Sequence, residues 1–480
     1  MNEVVLGVDS STQSTKVVAV DLTSGRIVAE GRAPHSGADT QWPGDWWVAL
    51  RESMKPIVDM GLRVAAISVA GQQHGLVTAT ATGDPILPAP LWNNIDAAPD
   101  AERLNQEANF AAEVGTRLVA SITIAKVAHL ARTRPGVMPS IEAICLPHDW
   151  LTWKLTGNLV TDRGEASGSG WWSPISESPQ RHLLELAAGV GFASRVRIPD
   201  VLGPETPAGV LTRDAASFLG LTPGIPVGPG SGDNMGAALG IGAAPGHYVV
   251  SLGTSGTAYA VSDEPTADPT GEVAGFADAT GRYLPLACML NCTRVLDIVT
   301  GAAGLSLVDG LDRAGQLEPG ADGLLLMPYL AGERTPNLPR ATGSLYGVSM
   351  TNLDPGRLAR AAVDGVAAGI AYCLIALRRL TIDEPGIVLV GGGSAHATWQ
   401  QAIADATQLP VTVLGGREHV ALGAAIQAAA IVTGQPVAEI SDRWRPGVAT
   451  VAHPRADFAD RFRLDERQAL IDVERARAAI

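Results

Sequence analysis

The first thirty residues alternate between apolar runs and short polar segments in a way that predicts consecutive strands. Val4–Asp9 is apolar and β-branched, Ser10–Thr15 is small and polar, and Lys16–Val20 is apolar again. Apolar runs of this length, bounded by small polar residues, are typical of strands joined by a tight turn. A further turn at 21–25 leads into a third expected strand at Arg26–Ala29.

A similar pattern returns halfway along the chain. Tyr248–Leu252 and Thr257–Val261 are predicted strands on either side of the turn Gly253–Gly256. Two similar hairpins in one chain of 480 residues suggest two related halves, because a repeated pattern indicates a repeated structural unit. The alternative is coincidence, since hairpins with Gly and Ser turns are common.

The remaining pattern predicts an α/β fold. The expected strands are Ala65–Ala70, Ile387–Val390 and Leu409–Leu414, and the expected helices are Pro355–Leu380, Thr398–Thr407 and Ala421–Val432. The most apolar stretch, Ala361–Leu377, contains Asp364 and Gly365, so we expect a buried helix there and not a membrane span. The Pro- and Gly-rich segment 203–230 is the expected passage between domains, and 443–480 is expected to form a surface helix or extension.

Length and charge narrow the range of functions. A chain of 480 residues with 46% hydrophobic and 18% charged residues is expected to form two to four domains, at about 100–200 residues for each domain. The net charge of −14 disfavours nucleic acid and anionic membrane as partners, because both bind basic surfaces. A small anionic substrate stays compatible with this charge, because one pocket can be positive on an acidic protein.

The cysteines point away from metal and disulfide chemistry. Cys145, Cys288, Cys292 and Cys373 form no CxxC pair, and the sequence has no HExxH motif. We therefore expect neither a zinc site nor a disulfide scaffold. A reduced cytoplasmic location is the simplest expectation, and no secretory signal is expected because no basic segment precedes the first strand.

Two turns have the composition of phosphate cradles. In Asp9–Lys16, small residues let backbone N–H groups approach an anion, and hydroxyls add further donors. The carboxylate of Asp9 can hold Mg²⁺ directly or through water. Leu252–Thr257 offers the same small residues and hydroxyls in the second half. Two such turns can bind one polyphosphate between the two halves of the chain. The alternative for each turn is a plain hairpin without a ligand.

Three further segments carry candidate chemistry. The glycines of Gly391–Ser394 permit close approach of a nucleotide, or they form a tight turn. Asp233, in the Gly-rich loop 230–236, is either a helix N-cap or a general base for a substrate hydroxyl. The amides and imidazole of Gly71–Gly75 suit hydroxyl recognition, or they form a polar turn. The sequence contains neither a Walker A motif nor a GxSxG nucleophile elbow.

Taken together and in this order, these segments resemble the FGGY carbohydrate kinases, and most closely the xylulokinases within that family. The similarity covers essentially the whole chain. The similar blocks are 9–16, 71–75, 91–93, 147–151, 161–162, 166–168, 232–234, 252–256, 332–336, 390–394, 399–401 and 421–425. No single block identifies the family, but so many similar blocks in the correct order make the resemblance to it specific.

The resemblance implies an α/β fold of two actin-like (ribonuclease H-like) domains with a central cleft. It implies an N-terminal domain at 1–240 and a C-terminal domain at 241–480. The implied activity is the phosphorylation of D-xylulose to D-xylulose 5-phosphate with ATP and Mg²⁺. The enzyme is expected in the cytoplasm, with a small sugar as its partner and a homodimer as a possible state.

The resemblance also implies a role for each matching residue. Asp233 is the expected catalytic base, and Asp9 the expected catalytic residue that organises Mg²⁺ and the phosphates. The sugar is expected to contact Gln73, His74, Asp233 and Asn234. The nucleotide is expected to contact Thr12, Gln13, Ser14 and Lys16 at the transferring phosphoryl group, Gly253 and Thr254 at the β-phosphate, and Gly392 and Gly393 at the adenosine.

Some positions depart from the family pattern and leave the sugar open. In the family, the sugar-binding turn often has Met where this chain has Gln73. In the block Asn94–Asp96, Asn94 stands where the family usually has a carboxylate, and Asp96 stands where it usually has a basic residue. A sister activity on ribulose, gluconate, erythritol or glycerol is therefore one alternative. An actin-like ATPase switch and a sugar sensor without catalysis are two more, although the presence of both Asp9 and Asp233 favours an enzyme.

Overall fold

The computed structural model describes residues 3–381 and 385–478, and these ranges form an α/β molecule built on two seven-stranded sheets. Its strands are β1 Glu3–Ser10, β2 Ser14–Asp21, β3 Ile27–Pro34, β4 Thr40–Gln41, β5 Arg63–Gly71, β6 Val77–Ala79, β7 Ala89–Pro90, β8 Ala143–Cys145, β9 Val160–Asp162, β10 Trp172–Ser173, β11 Ser178–Pro179, β12 Asp200–Leu202, β13 Gly209–Val210, β14 Pro226–Val227, β15 Ser231–Gly232, β16 Tyr248–Leu252, β17 Gly256–Tyr259, β18 Val273–Ala277, β19 Tyr283–Met289, β20 Leu325–Met327, β21 Ser344–Tyr346, β22 Ile387–Val390, β23 Val411–Leu414 and β24 Val448–Ala452.

Helices cover both sheets. They are α1 Pro43–Asp59, α2 Ala98–Glu107, α3 Phe110–Val114, α4 Thr123–Thr133, α5 Pro147–Thr156, α6 Arg163–Ser167, α7 Arg181–Ala188, α8 Phe192–Arg195, α9 Arg213–Leu219, α10 Asp233–Gly240, α11 Thr293–Ala302, α12 Leu307–Gly315, α13 Pro355–Arg378, α14 Ala397–Thr407, α15 His419–Thr433, α16 Val437–Trp444 and α17 Leu464–Ala478. The predicted strands and helices are all present, with ends that differ by a few residues.

The two large sheets share one strand order. In the first sheet, β3, β2 and β1 are antiparallel neighbours, and β1 continues in parallel to β5 and then β14. In the second sheet, β19, β17 and β16 are antiparallel neighbours, and β16 continues in parallel to β22 and then β23. The shared order shows that the resemblance between the two hairpins reflects a repeated architecture and not coincidence.

Helix α15, from the C-terminal half of the chain, packs against β1 and β5 of the first sheet and against α10. Glycines permit this contact. A β-carbon built on Gly7 would lie 1.8 Å from the carbonyl oxygen of Ala421, and one built on Gly423 would lie 1.9 Å from that of Gly236. Both distances are far below van der Waals contact, so backbone meets backbone directly at these points.

Helix α13 is long and apolar enough to cross a membrane, but 78% of its most apolar window is buried inside the protein. Its small and aliphatic side chains, including Ala362, Val363 and Val366, belong to the core of the second half. Asp364 does not disrupt this core because it is paired with Arg360, whose Nε lies 2.8 Å away. The prediction of a buried helix is confirmed.

Two expectations from the sequence are wrong. The segment 203–230 is not a passage between domains, because it contributes β13, α9 and β14 to the first sheet, where Val227 pairs with Ile67. Its Pro and Gly residues mark tight turns between short elements. The segment 443–480 is not only a surface extension, because β24 pairs with β23 and the side chains of Phe462 and Ile471 are buried.

The backbone contact at α15 generates a stability prediction. We expect Gly423→Ala to lower the free energy of unfolding by about 1–3 kcal/mol, because the new methyl group forces α10 and α15 apart. Gly301→Ala is the matched control: Gly301 lies in α11, and an added β-carbon there meets nothing within 4 Å. That control is expected to stabilise the protein slightly, as Ala does in an open helix position. Thermal melting of both variants compares them, and equal melting temperatures would contradict the prediction.

Candidate active site

The first predicted phosphate turn joins β1 to β2, and its two charged residues face each other across the hairpin. Asp9 pairs with Lys16 in the strand register, and Lys16 Nζ lies 3.6 Å from Asp9 Oδ2. The Ser11 hydroxyl also donates to Asp9. Lys16 forms a second and closer ion pair, at 2.7 Å, with Glu418 at the start of α15. In this turn, the buried carboxylate of Asp9 therefore lies beside the ammonium group of Lys16, which is also paired with Glu418 of the C-terminal half.

The hydroxyl residues of this turn have different surroundings. Trp92 Nε1 donates to Thr12 Oγ1 at 2.9 Å, and Arg32 Nε donates to Ser14 Oγ at 3.1 Å. Gln13 is exposed. Its side chain is therefore accessible to a ligand, whereas Thr12 and Ser14 already serve as acceptors for neighbouring side chains.

The predicted sugar-binding turn is held in a strained conformation. His74 has a φ of 66°, which is unfavourable for a residue with a β-carbon. Its N–H donates to Glu165 Oε1 at 3.3 Å, and its carbonyl accepts from Lys126 Nζ at 3.0 Å and from Thr123 Oγ1 at 3.2 Å. Both backbone groups of this buried residue are therefore fixed from outside the turn.

The imidazole of His74 has a defined tautomer. Its Nδ1 lies 3.0 Å from the carbonyl oxygen of Gly168, and a carbonyl only accepts, so Nδ1 carries the proton. Burial, together with the positive charges of Arg334 and Lys126, holds the pKa of His74 well below its usual value. The ring is therefore neutral and offers Nε2 as an acceptor.

The first turn of α10 connects this sugar-binding turn to the second hairpin. Asn234 donates through Nδ2 to Gln73 Oε1 at 2.9 Å and to Asp233 Oδ1 at 3.0 Å. Its own Oδ1 accepts from Thr257 Oγ1 on β17 at 3.2 Å. The structure thus brings Gln73, Asp233 and Asn234 together, and it joins all three to the C-terminal half of the chain.

Asp233 has the electrostatics of a group that exchanges protons near neutral pH. Burial and the negative charge of Asp9 raise its pKa to about 7, although the hydrogen bonds from Asn234 act in the opposite direction. Burial also raises the pKa of Asp9, while Ser11 and Lys16 lower it. Two carboxyl groups that disfavour each other's charge form an environment that a cation would stabilise.

The second turn and the glycine loop lie against each other. A β-carbon built on Gly391 would lie 2.7 Å from the carbonyl oxygen of Leu252, directly before Gly253. Thr254 and Gly392 are both exposed, and an added β-carbon on Gly392 meets nothing within 4 Å. Within the described residues, no hydrogen bond joins the first turn at 12–14 to Gly253 or Thr254.

The block Asn94–Asp96, which differs from the family pattern, lies beside Asp39. Asn94 Nδ2 donates to Asp39 Oδ2 at 3.3 Å and to Asp96 Oδ2 at 3.2 Å. The amide of Asn94 is therefore committed to carboxylates of its own neighbourhood.

The sequence did not reveal two carboxylates of the site, Glu165 and Glu418. The spacing Asp162-x-x-Glu165 is that of a capping box, and Asp162 Oδ2 does accept from the backbone N of Gly164 at 2.8 Å. This spacing was the available signal for Glu165, although it predicts a helix start and not a place beside His74. Glu418 has a left-handed φ of 60°, which no motif indicated.

The fold and this site define a class of protein. Two sheets of one strand order, each with a small-residue turn, and a buried carboxyl beside polar side chains are the features of a two-domain, actin-like phosphotransferase. The sequence matches the FGGY family of carbohydrate kinases, with the N-terminal domain over residues 4–240 and the C-terminal domain over 248–431. The chain belongs to this family, and its predicted fold class is confirmed.

Individual relatives agree with this assignment. The chain is 43% identical over 467 residues to a xylulose kinase from Streptomyces coelicolor, which covers 95% of this chain and 93% of that one. It is 45% identical over 460 residues to a xylulose kinase from Streptomyces rubiginosus, with coverages of 93% and 92%. The crystal structure of xylulose kinase from Bifidobacterium adolescentis is similar with a TM-score of 0.86 at 36% identity, covering 97% of this chain and 99% of that one.

The coupling between the two aspartates can be measured directly. We expect Asp9→Asn to lower the pKa of Asp233, because it removes the negative charge that helps to raise it. Infrared absorption of protein labelled with [¹³C]aspartate, titrated through neutral pH, follows this carboxyl group as the part of the signal that is lost in Asp233→Asn, because burial also raises the pKa of Asp149 to about 6. Asp59→Asn, at an exposed position at the end of α1, is the control and leaves the titration unchanged. An unchanged titration in Asp9→Asn as well would contradict the coupling.

Proposed function

We propose that this sugar kinase transfers the γ-phosphoryl group of ATP to D-xylulose and forms D-xylulose 5-phosphate. One observation carries the proposal: Asp233, with a pKa of about 7, is held beside Gln73 and within the electrostatic influence of Asp9. A proton acceptor thus lies between a polyol-binding turn and a phosphate turn. The xylulose kinases at 43% and 45% identity support the choice of sugar.

In the proposed reaction, Asp233 accepts the proton of the C5 hydroxyl as that oxygen attacks the γ-phosphorus. The new O–P bond forms while the bond from the γ-phosphorus to the β,γ-bridging oxygen breaks, and ADP leaves. A carboxyl group whose pKa lies near the working pH suits this role, because it is partly ionised before the reaction and holds the proton afterwards. Alignment and charge neutralisation provide most of the catalysis in phosphoryl transfer.

Each group of the site is assigned to one part of the substrates. Lys16 and the turn residues Thr12, Gln13 and Ser14 would bind the transferring phosphoryl group. Gly253 and Thr254 would approach the β-phosphate, and Gly392 and Gly393 the adenosine. Gln73, His74 and Asn234 would bind the ketose, with His74 Nε2 as a hydrogen-bond acceptor. This assignment divides the chain into a sugar-binding domain at 1–240 and a nucleotide-binding domain at 241–480.

The residues present also fit Mg²⁺. Magnesium binds through one or two carboxylates and keeps several of its waters, and Asp9 is a buried carboxylate whose neighbour Asp233 repels its charge. Asp9 would therefore hold the ion, which would neutralise phosphate charge when bound. The described residues contain no cluster of three or more His, Cys, Asp or Glu that could form an all-protein metal cage. A cytoplasmic location and a homodimer stay predictions.

Substrate and base are tested together by coupled ADP release with Mg·ATP and a panel of pentuloses and polyols. We expect the highest kcat/KM with D-xylulose. We expect Asp233→Asn to lower kcat by about 10²–10⁴-fold, because the amide cannot accept the proton. The control Asp200→Asn, at an exposed position at the start of β12, should keep the wild-type rate.

The outcomes separate the alternatives. Faster turnover of another sugar or polyol would retain the mechanism and reject D-xylulose, with Gln73 as the first residue to examine. ADP release that no sugar accelerates would favour an ATPase switch or a sensor. A near-normal kcat in Asp233→Asn would reject the proposed base.

The Mg²⁺ assignment has its own test. Chelation with EDTA should abolish ADP release, and added Mg²⁺ should restore it. We expect Asp9→Asn to raise the Mg²⁺ concentration for half-maximal rate by about 10–100-fold, since the ion loses its carboxylate. The same Mg²⁺ dependence in the variant and the wild type would show that Asp9 does not hold the ion.

A further inference from the structure

Glu165 is a fully buried carboxyl group between the two loops of the sugar site. It lies on α6 and has no exposed surface. Asp162 begins this helix and accepts from the N–H groups of Gly164 and Glu165. The backbone position of Glu165 is therefore set by a capped helix start.

One oxygen of Glu165 has a structural task. Oε1 accepts the N–H of His74 at 3.3 Å and so helps to hold the left-handed conformation of that residue. This contact alone would require only one of the two oxygens, and it would be satisfied by any acceptor of similar length.

The other oxygen has no protein partner. Glu165 Oε2 is buried and makes no hydrogen bond within the described residues, and the same is true of Gln73 Nε2. Both side chains pack against Gly232: a β-carbon built there would lie 2.6 Å from Glu165 Oε2, 2.7 Å from Gln73 Cγ and 2.9 Å from Gln73 Cδ. Two side chains that each carry an unpaired polar atom therefore flank the residue that precedes Asp233.

A hydrogen bond fixes the orientation of the Gln73 amide. Its Oε1 accepts from Asn234 Nδ2 at 2.9 Å, so Nε2 is presented as a donor on the opposite side of the amide. A buried polar group without a partner is unfavourable, and a polar ligand that reached this point would satisfy both groups.

A hydroxyl group matches this pair. It accepts one hydrogen bond from Gln73 Nε2 and exchanges a second with Glu165 Oε2, whereas a ketone oxygen only accepts. Burial and the charges of Asp149, Asp162 and Asp233 raise the pKa of Glu165 well above its usual value. The neutral form of this carboxyl group is therefore favoured relative to that of an exposed glutamate.

We propose that Glu165 is a specificity-determining residue of the sugar site, whose Oε2 binds one hydroxyl group of the acceptor together with the amide of Gln73. The proposal rests on the kinase function above. It adds a residue that recognises a hydroxyl other than the one that attacks phosphorus, and a buried water in place of that hydroxyl is the competing explanation.

The test combines a variant with altered substrates. The parent sugar is the one that the wild-type enzyme phosphorylates fastest, so rejection of D-xylulose does not affect the design. Analogues of this sugar each lack one hydroxyl other than the attacking one. We expect the wild type to prefer the parent over one analogue by about 10–100-fold in kcat/KM, since a site built for a hydroxyl rejects a ligand without it.

Glu165→Met removes both oxygens and keeps the length of the side chain. We expect it to reduce the preference against that one analogue to about threefold or less, and to leave the preferences against the other analogues unchanged. An equal fall in kcat/KM for the parent and every analogue would overturn the proposal, because that result describes a purely structural role through His74. Glu142→Met is the control, because Glu142 also accepts a backbone N–H, from Ala81 at 2.7 Å, at an exposed site.

A second measurement keeps the proposal testable if Glu165→Met does not fold. A crystal structure of the wild-type protein with the parent sugar should place one hydroxyl oxygen within about 3.2 Å of both Glu165 Oε2 and Gln73 Nε2. A water molecule between these two atoms, with no sugar hydroxyl on either, would overturn the proposal.

Discussion

The direct backbone contact of α15 with β1 and α10 is the constraint on which the site depends. Gly7 and Gly423 allow this contact, and a side chain at either position would collide with backbone oxygen. The consequence is that Glu418, at the start of α15, reaches Lys16 of the first turn. Gln427 on the same helix donates to the carbonyl of Gly230 at 2.8 Å and accepts from Ser68. One helix from the C-terminal half therefore contacts both the predicted phosphate turn and the loop that precedes Asp233.

A concentration of buried acids gives the site its chemical character. The negative charge of Asp9 raises the pKa of Asp233, and the charge of Asp233 in turn raises the pKa of Glu165. Burial favours the neutral form of each of these groups. A bound cation or hydrogen-bond donors would favour their charged forms, so the ionisation of these acids is expected to respond to what the site binds.

The sequence predicted what is encoded locally. The two hairpins and the helices α13 to α15 follow from apolar periodicity, and the residues of the turns follow from their small and hydroxyl side chains. Segment 203–230 was misjudged because two-residue strands such as β13 and β14 have no periodicity to detect. Glu165 and Glu418 escaped notice because their partners, His74 and Lys16, are distant in sequence and only the fold brings them together. Contacts between residues so far apart in sequence, and the pKa shifts that depend on them, are set by the tertiary structure.

The shared strand order of the two sheets has a consequence for the direction of the reaction. Architecture repeats in the two halves, but acidity does not: Asp9 lies at the end of β1, one residue before its last residue Ser10, whereas β16 leads into Gly253. A symmetric pair of cradles would hold a chain of phosphates equally well in either orientation. The unequal charges break this symmetry, so the proposed binding mode predicts one productive polarity of the nucleotide, with its reactive end toward the acids.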